Sequence, residues 1–227
     1  MSKNFVGDAA RHTDIGSRKM AIAGILTAMT VVATVFTKIP SPLPQGYFNL
    51  GDTIVLIAGA IFGSMTGAFA GAVGSAAADI LTGGLIFAPI TLIVKGAEGY
   101  IAGKISGLGN ARAIGAAGHG AAGHGAAEHG DGAKTAQDGA AGASAAQTRP
   151  NSYAGRVLRG LTPALIVGAA VMVAGYFLAE ATVLSFIDQA FGFGAALAEL
   201  PINIAQGCFS VLLARAAIEG MKRFRII

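Results

Sequence analysis

Apolar residues fall into long runs separated by short polar breaks. In order these are Met20 to Thr37, Leu50 to Leu81, Leu85 to Ile105, Leu161 to Glu180 and Gly194 to Ala217. A membrane-crossing helix needs about 20 apolar residues, so the second run is too long for one crossing. Its natural break is Gly63-Ser64-Met65-Thr66-Gly67, which divides it into two short, tilted helices. The pattern therefore predicts an all-α, polytopic membrane protein with six transmembrane helices. Six crossings place both termini on one side, and the basic residues say which. With both termini cytoplasmic, 14 of the 16 Lys and Arg lie inside: Lys3, Arg11, Arg18, Lys19, Lys104, Arg112, Lys134, Arg149, Arg156, Arg159, Arg215, Lys222, Arg223 and Arg225. Lys38 is left outside and Lys95 within a span, as the positive-inside rule favours.

Five segments follow: a cytoplasmic N-terminal piece at 1–19, helices one to four at 20–105, and a flexible Ala/Gly/His-rich cytoplasmic linker at 106–159. Helices five and six occupy 160–218, and a basic cytoplasmic tail occupies 219–227. The linker repeats AAGHG, AAGHG, AAEHG, setting His119, His124 and His129 five residues apart. Such composition offers no core. Five-residue spacing does not align histidines on one helix face, and no acidic or cysteine cage accompanies them. A linker is favoured over a metal site, although these three histidines are the metal candidates the chain offers. No cofactor is expected.

Composition agrees with the pattern. Of 227 residues, 53% are hydrophobic and 12% charged, and the mean hydropathy is +0.62. A soluble domain carries roughly a quarter charged residues. Disorder is excluded, since it requires low hydrophobicity and high charge density. The lone Cys208 forms no redox or zinc motif. A net charge of +4 and pI near 9.4 suggest nucleic acid in isolation, but the placement of the basic residues assigns them to cytoplasmic loops.

Two features inside the spans carry candidate function. The first is small residues. Gly59, Gly63, Gly67, Gly71 and Ser75 recur at every fourth position, and Ala21, Gly24 and Ala28 form a second small face on the first span. Such faces let helix backbones approach closely. Packing within the chain is the simpler role for each glycine alone, but two faces together suit docking of another membrane subunit. The second feature is buried polarity, since a charge at the bilayer centre costs at least about 2.5 kcal/mol. Lys95 and Glu98, at i,i+3, can pair on one face of span four. Glu199, Asn203, Gln206 and Ser210 form a continuous stripe on span six, and Tyr176 and Glu180 an i,i+4 pair on span five. Asp52 and Asp79 sit near helix ends, where bonding to a loop is the simpler role. Interhelical hydrogen bonding competes with ligand binding at all of these, and the span-six stripe favours a ligand site.

Enzyme motifs are lacking. GYIAGKIS, from Gly99 to Ser106, imitates a phosphate-binding loop, but three residues separate its glycines where four are needed, and Ile105 follows the lysine. The chain is predicted not to be an enzyme and to carry no ATPase motif of its own.

The segments NLGDTIVLIAGAIFGSMTGAFAGAVGSAAADIL and APITLIVKGAEGYIAGKI, with LPINIAQG at Leu200 to Gly207, resemble the substrate-binding S components of energy-coupling factor (ECF) vitamin importers, in particular the riboflavin-type S components. The linker is an insertion relative to that family. The resemblance implies a multi-pass subunit of a bacterial plasma membrane that captures a B-vitamin or precursor from outside. The ligand would be riboflavin, or a smaller ring such as hydroxymethylpyrimidine or pyridoxine. It implies as partners the lipid bilayer, an ECF transmembrane coupling subunit and two cytoplasmic ATPase subunits, with no nucleic acid. Carried onto this chain, it implies substrate binding by Pro44, Tyr47, Asn49, Asp79, Lys95, Tyr176, Glu199, Asn203 and Gln206. It implies docking through Ala21, Gly24, Ala28, Gly63, Gly67 and Gly71. The absence of Trp mildly favours a small ring over one that needs aromatic stacking. Two other classes compete: an autonomous secondary transporter or channel using Lys95, Glu98 and Glu199, and an assembly protein using its glycine groove alone.

Overall fold

The computed structural model describes residues 3–40, 47–107 and 150–224, with side chains described from 17 in the first stretch and from 160 in the last. The His119, His124 and His129 tract, Pro44 and most of the linker lie outside the described residues. The elements are α1 (Lys3–Phe36), a short hairpin of β1 (Ile39–Pro40) and β2 (Tyr47–Phe48), α2 (Gly51–Phe62), α3 (Ser64–Phe69), a π-helical turn (Ala70–Gly74) and α4 (Ser75–Leu81). After these come α5 (Ala88–Ser106), α6 (Pro150–Leu178), a second π turn (Ala179–Val183), a 3-10 turn (Leu184–Phe186) and α7 (Phe193–Arg223).

The chain is a helical membrane protein. Among the described residues, three stretches are long and apolar enough to cross a bilayer: Ser17–Phe36, Gly160–Phe186 and Phe193–Arg223. The break foreseen in the long apolar run falls at Gly63, whose φ of 105° is open to glycine and strained for other residues. The 12 residues of α2 rise about 18 Å, short of the roughly 30 Å hydrocarbon layer.

The centre of the molecule is α5, which packs against α2, α3, α4 and α6; α7 closes against α6 and α2. Leu56, Ile61, Leu161, Leu165 and Ile218 form the main apolar core with Ala60, Ala102 and Ala214. Glycine makes the close approaches. A Cβ added at Gly99 would collide with the Gly67 carbonyl, and one at Gly103 would stand 2.6 Å from the Ser64 nitrogen. Gly59 and Gly71 likewise abut the α5 backbone. The outer surface is apolar where a bilayer would wet it, with Ile25, Phe69, Leu85, Ile93 and Leu212 all exposed.

These contacts correct the docking expectation for part of its residues. Gly67 and Gly71 are buried against α5, so they join the chain to itself rather than offering a free face. Gly63 is the hinge between α2 and α3 and is half-buried. By contrast Ala21, Gly24 and Ala28 are all exposed on α1, and a Cβ at Gly24 would meet nothing within 4 Å.

Candidate ligand site

The hairpin brings the 47–49 segment back over the helices. Pairing of Ile39 with Phe48 and of Pro40 with Tyr47 sets its register. Thr37 Oγ1 at the end of α1 accepts the Leu50 N–H at 2.8 Å, and Asn49 Oδ1 accepts the Gly51 N–H at 2.8 Å. Asn49 is thereby held at the mouth of α2, and its own N–H donates to Gln206 Oε1 on α7 at 2.9 Å. The Gln206 amide continues the chain: its Nε2 donates to Asp52 Oδ2 at 2.8 Å.

Asp52 also receives Lys95 Nζ, and Lys95 donates in addition to Glu98 Oε2 at 3.1 Å. This cluster of two carboxylates and one ammonium is almost wholly buried, with Lys95 2% exposed and Glu98 0%. Each charge is costly in low dielectric, so removal of the ammonium would leave two carboxylates facing each other. Lys95 and Glu98 do pair, as their spacing suggested. Asp52 is the third member that spacing within one helix had no means to reveal.

A cavity of about 370 Å³, its open mouth included, lies beside this cluster. It is lined by Tyr47, Asn49, Phe87, Thr91, Tyr176, Glu180, Glu199, Asn203 and Gln206. Tyr47 roofs it, donating its hydroxyl to Asp79 Oδ1, while Lys38 Nζ sits 3.8 Å from the centre of the Tyr47 ring. Burial, with Tyr176 and Asp79 adding to it, holds the Tyr47 phenol well above its ordinary pKa, so it remains a donor. Thr91 and Tyr176 share a hydrogen bond of 3.0 Å on the α5–α6 wall. Phe87 is braced edge-on by Phe191, with ring centres 5.5 Å apart. The floor is the α7 stripe: Glu199, Asn203 and Gln206 succeed one another at helical spacing, all buried.

Of the residues expected to bind substrate, Tyr47, Asn49, Tyr176, Glu199, Asn203 and Gln206 converge on this cavity. Lys95 and Asp79 do not line it. Lys95 is drawn away into the Asp52–Glu98 cluster, touching the site only through its approach of 5.5 Å to the Tyr176 ring, and Asp79 lies behind Tyr47. Pro44 is outside the described residues. Phe87, Thr91 and Glu180 line the cavity as well, beyond the residues assigned to substrate binding. For Glu180 the signal was present, since it stands one turn from Tyr176. Thr91 was signalled only by standing one turn before Lys95.

Residues 15–115 match the model of the family described as ECF-type riboflavin transporter, S component. The resemblance to ECF S components holds. The same architecture occurs in a solved structure described as "Structure and mechanism of the S component of a bacterial ECF transporter", with a TM-score of 0.55 over 92% of this chain and 98% of that one. At 15% identity the likeness to that S component speaks for the fold. A curated relative from Pyrococcus woesei, described as an uncharacterized protein in a gap 3' region, is 45% identical over 75 residues. That stretch is 33% of this chain and spans 50% of the relative. The family match runs from within α1 to beyond the end of α5, and the structural likeness carries the fold through α6 and α7. S components are substrate-specific membrane transport subunits, not enzymes, and riboflavin is the substrate named for this family as a whole.

Proposed function

We propose that this chain captures a vitamin-like small molecule from the exterior in the cavity beneath Tyr47 and Asn49, for ATP-driven uptake by partner subunits. The observation that carries this is the convergence of the hairpin, α5, α6 and α7 on one polar, aromatic-walled cavity. Riboflavin is the substrate for which the matching family is named, and hydroxymethylpyrimidine or pyridoxine is the smaller-ring alternative. The topology proposed with it has six crossings and cytoplasmic termini, in a cell's plasma membrane. The site residues proposed are Tyr47, Asn49, Tyr176, Glu199, Asn203 and Gln206, with Lys95 and Asp79 supporting them from behind.

The partners proposed are an ECF transmembrane coupling subunit and two cytoplasmic ATPases. The exposed Ala21, Gly24 and Ala28 face of α1 is the docking surface this favours, because backbone can approach it closely. A self-contained carrier or channel would need Lys95 and Glu98 free to bind or release an ion. Lys95 is bonded to both Asp52 and Glu98, and neither Lys95 nor Glu98 lines the cavity. Reconstitution separates the two functions. Uptake into proteoliposomes that appears only when the coupling subunit and ATPases are added supports the S component, and ATP-independent flux through the chain alone contradicts it.

A further inference from the structure

A larger, separate groove runs along the flank of α6 and α7, with a volume of about 1280 Å³, its open side included. Small residues, among them Ala170, Ala174 and Gly207, leave the space, and Phe177, Ile204 and Leu212 bound it. Every lining side chain is apolar, the lone Cys208 included. Both flanking stretches, Gly160–Phe186 and Phe193–Arg223, are long and apolar enough to cross a bilayer, and Ala170, Cys208 and Leu212 are exposed, so the groove opens on hydrocarbon. From Leu200 to Leu212 its α7 wall rises about 18 Å, close to the roughly 15 Å of one leaflet's half of the hydrocarbon layer. An empty trough of that length would forfeit dispersion contacts along its whole lining.

One end of the groove is basic. The α7 stripe that lines it at Ile204, Cys208 and Val211 continues at helical spacing as Arg215, Glu219 and Lys222. There Arg215 Nη1 donates to Thr162 Oγ1 of α6 at 2.7 Å, one turn from the groove-lining Ile166, and Arg215 Nε donates to Glu219 Oε1 at 2.9 Å. A guanidinium has five N–H donors, of which these bonds use two. Lys222 Nζ is buried with no hydrogen-bond partner, attracted by Glu219 and repelled by Arg215. A buried ammonium without an acceptor is costly. With Arg223, three cations stand here beside one carboxylate.

We infer that the α6–α7 groove binds an anionic phospholipid, with one acyl chain lying along Ala170, Ala174 and Gly207 and the phosphate held by Arg215 and Lys222. The basic end decides the occupant. An apolar helix of a partner would fill the trough but leave Lys222 without an acceptor, whereas a phosphodiester brings both acceptor oxygens and negative charge. In the topology proposed above this end lies in the cytoplasmic leaflet, where basic pockets between helices collect anionic headgroups. The groove shares no lining residue with the cavity beneath Tyr47 and lies on other helices than the small-residue face of α1, so the inference stands apart from vitamin capture.

Native mass spectrometry of the full chain, released from nanodiscs of equimolar phosphatidylglycerol and phosphatidylcholine, tests this. One retained phospholipid per chain is expected, with phosphatidylglycerol favoured at least about fivefold, the gain of one basic residue beside an anionic headgroup. Arg215→Gln should remove most of that preference, and Lys222→Gln is the second variant should the loss of the Thr162 contact unfold the first. Cys208→Phe, which fills the groove, should lower retention of both lipids while the protein stays monodisperse. No retained lipid, equal retention of the two lipids, or a preference unchanged in both charge variants would overturn the inference. So would a dimer mass in place of the lipid adduct, which would give the groove to a second copy of the chain.

Discussion

Gln206 shows how one side chain ties the loop to the interior. Its carbonyl oxygen accepts from the Asn49 backbone and its amide nitrogen donates to Asp52, so both ends of the amide are committed to the protein. Gln206 thus both lines the cavity and fixes the 47–49 segment, and Asn203, one turn earlier, lines the same cavity. Asn203→Leu and Gln206→Leu should each weaken ligand binding about tenfold or more, by removing polar contacts worth roughly 1–2 kcal/mol apiece. Membrane insertion should be unaffected. Calorimetric titration of the purified variants checks this, and unchanged affinity in both would remove the α7 stripe from the site. Lys95 makes a different prediction. Lys95→Met leaves Asp52 and Glu98 buried without their cation, a change that costs about 3–5 kcal/mol in comparable pairs. The thermal unfolding midpoint in detergent should fall sharply, and an unchanged midpoint would show that the cluster holds nothing together.

At the scale of elements, helix positions were largely legible because a bilayer imposes a coarse rule. Apolar length marks a span, and Gly63 interrupts the longest run where φ turns positive. The α7 stripe was legible for the same reason, as polar residues at helical spacing inside an apolar run have few uses. Relations between helices were not legible. Whether Gly67 and Gly71 face lipid, a partner or α5 depends on the rotation of α3 and the π turn about their axis. That rotation is set by the α5 backbone at Lys95, Gly99 and Gly103, which Gly71, Gly67 and Ser64 closely approach. Asp52 was read as a helix-end residue bonding a loop, and its pairing with Lys95 depends on the register of α2 against α5. Gly99→Ala places a methyl against the Gly67 backbone and should destabilise the chain by about 1–3 kcal/mol, the usual cost of overpacking. Gly24→Leu lies on the open face of α1 and should leave the thermal midpoint and ligand affinity intact. It should nevertheless reduce uptake by the reconstituted complex severalfold. Full uptake by Gly24→Leu would move the docking surface elsewhere.

At the scale of the molecule, buried and terminal charges among the described residues occupy different places. The basic residues at 18–19 and 222–223 flank the helical body, and the buried charges gather around a single cavity and the cluster behind it. Six of the residues assigned from resemblance meet at that cavity because the hairpin, α6 and α7 converge there, a relation that no single segment of sequence contains. The central claim is that this cavity holds a small vitamin-like molecule. Native mass spectrometry of the full chain, purified from cells grown in rich medium, tests it most directly. A stoichiometric small-molecule adduct, present in the unsubstituted protein and lost in Asn203→Leu, is the predicted result. An adduct-free protein that also takes up none of the vitamins offered to it would contradict the account.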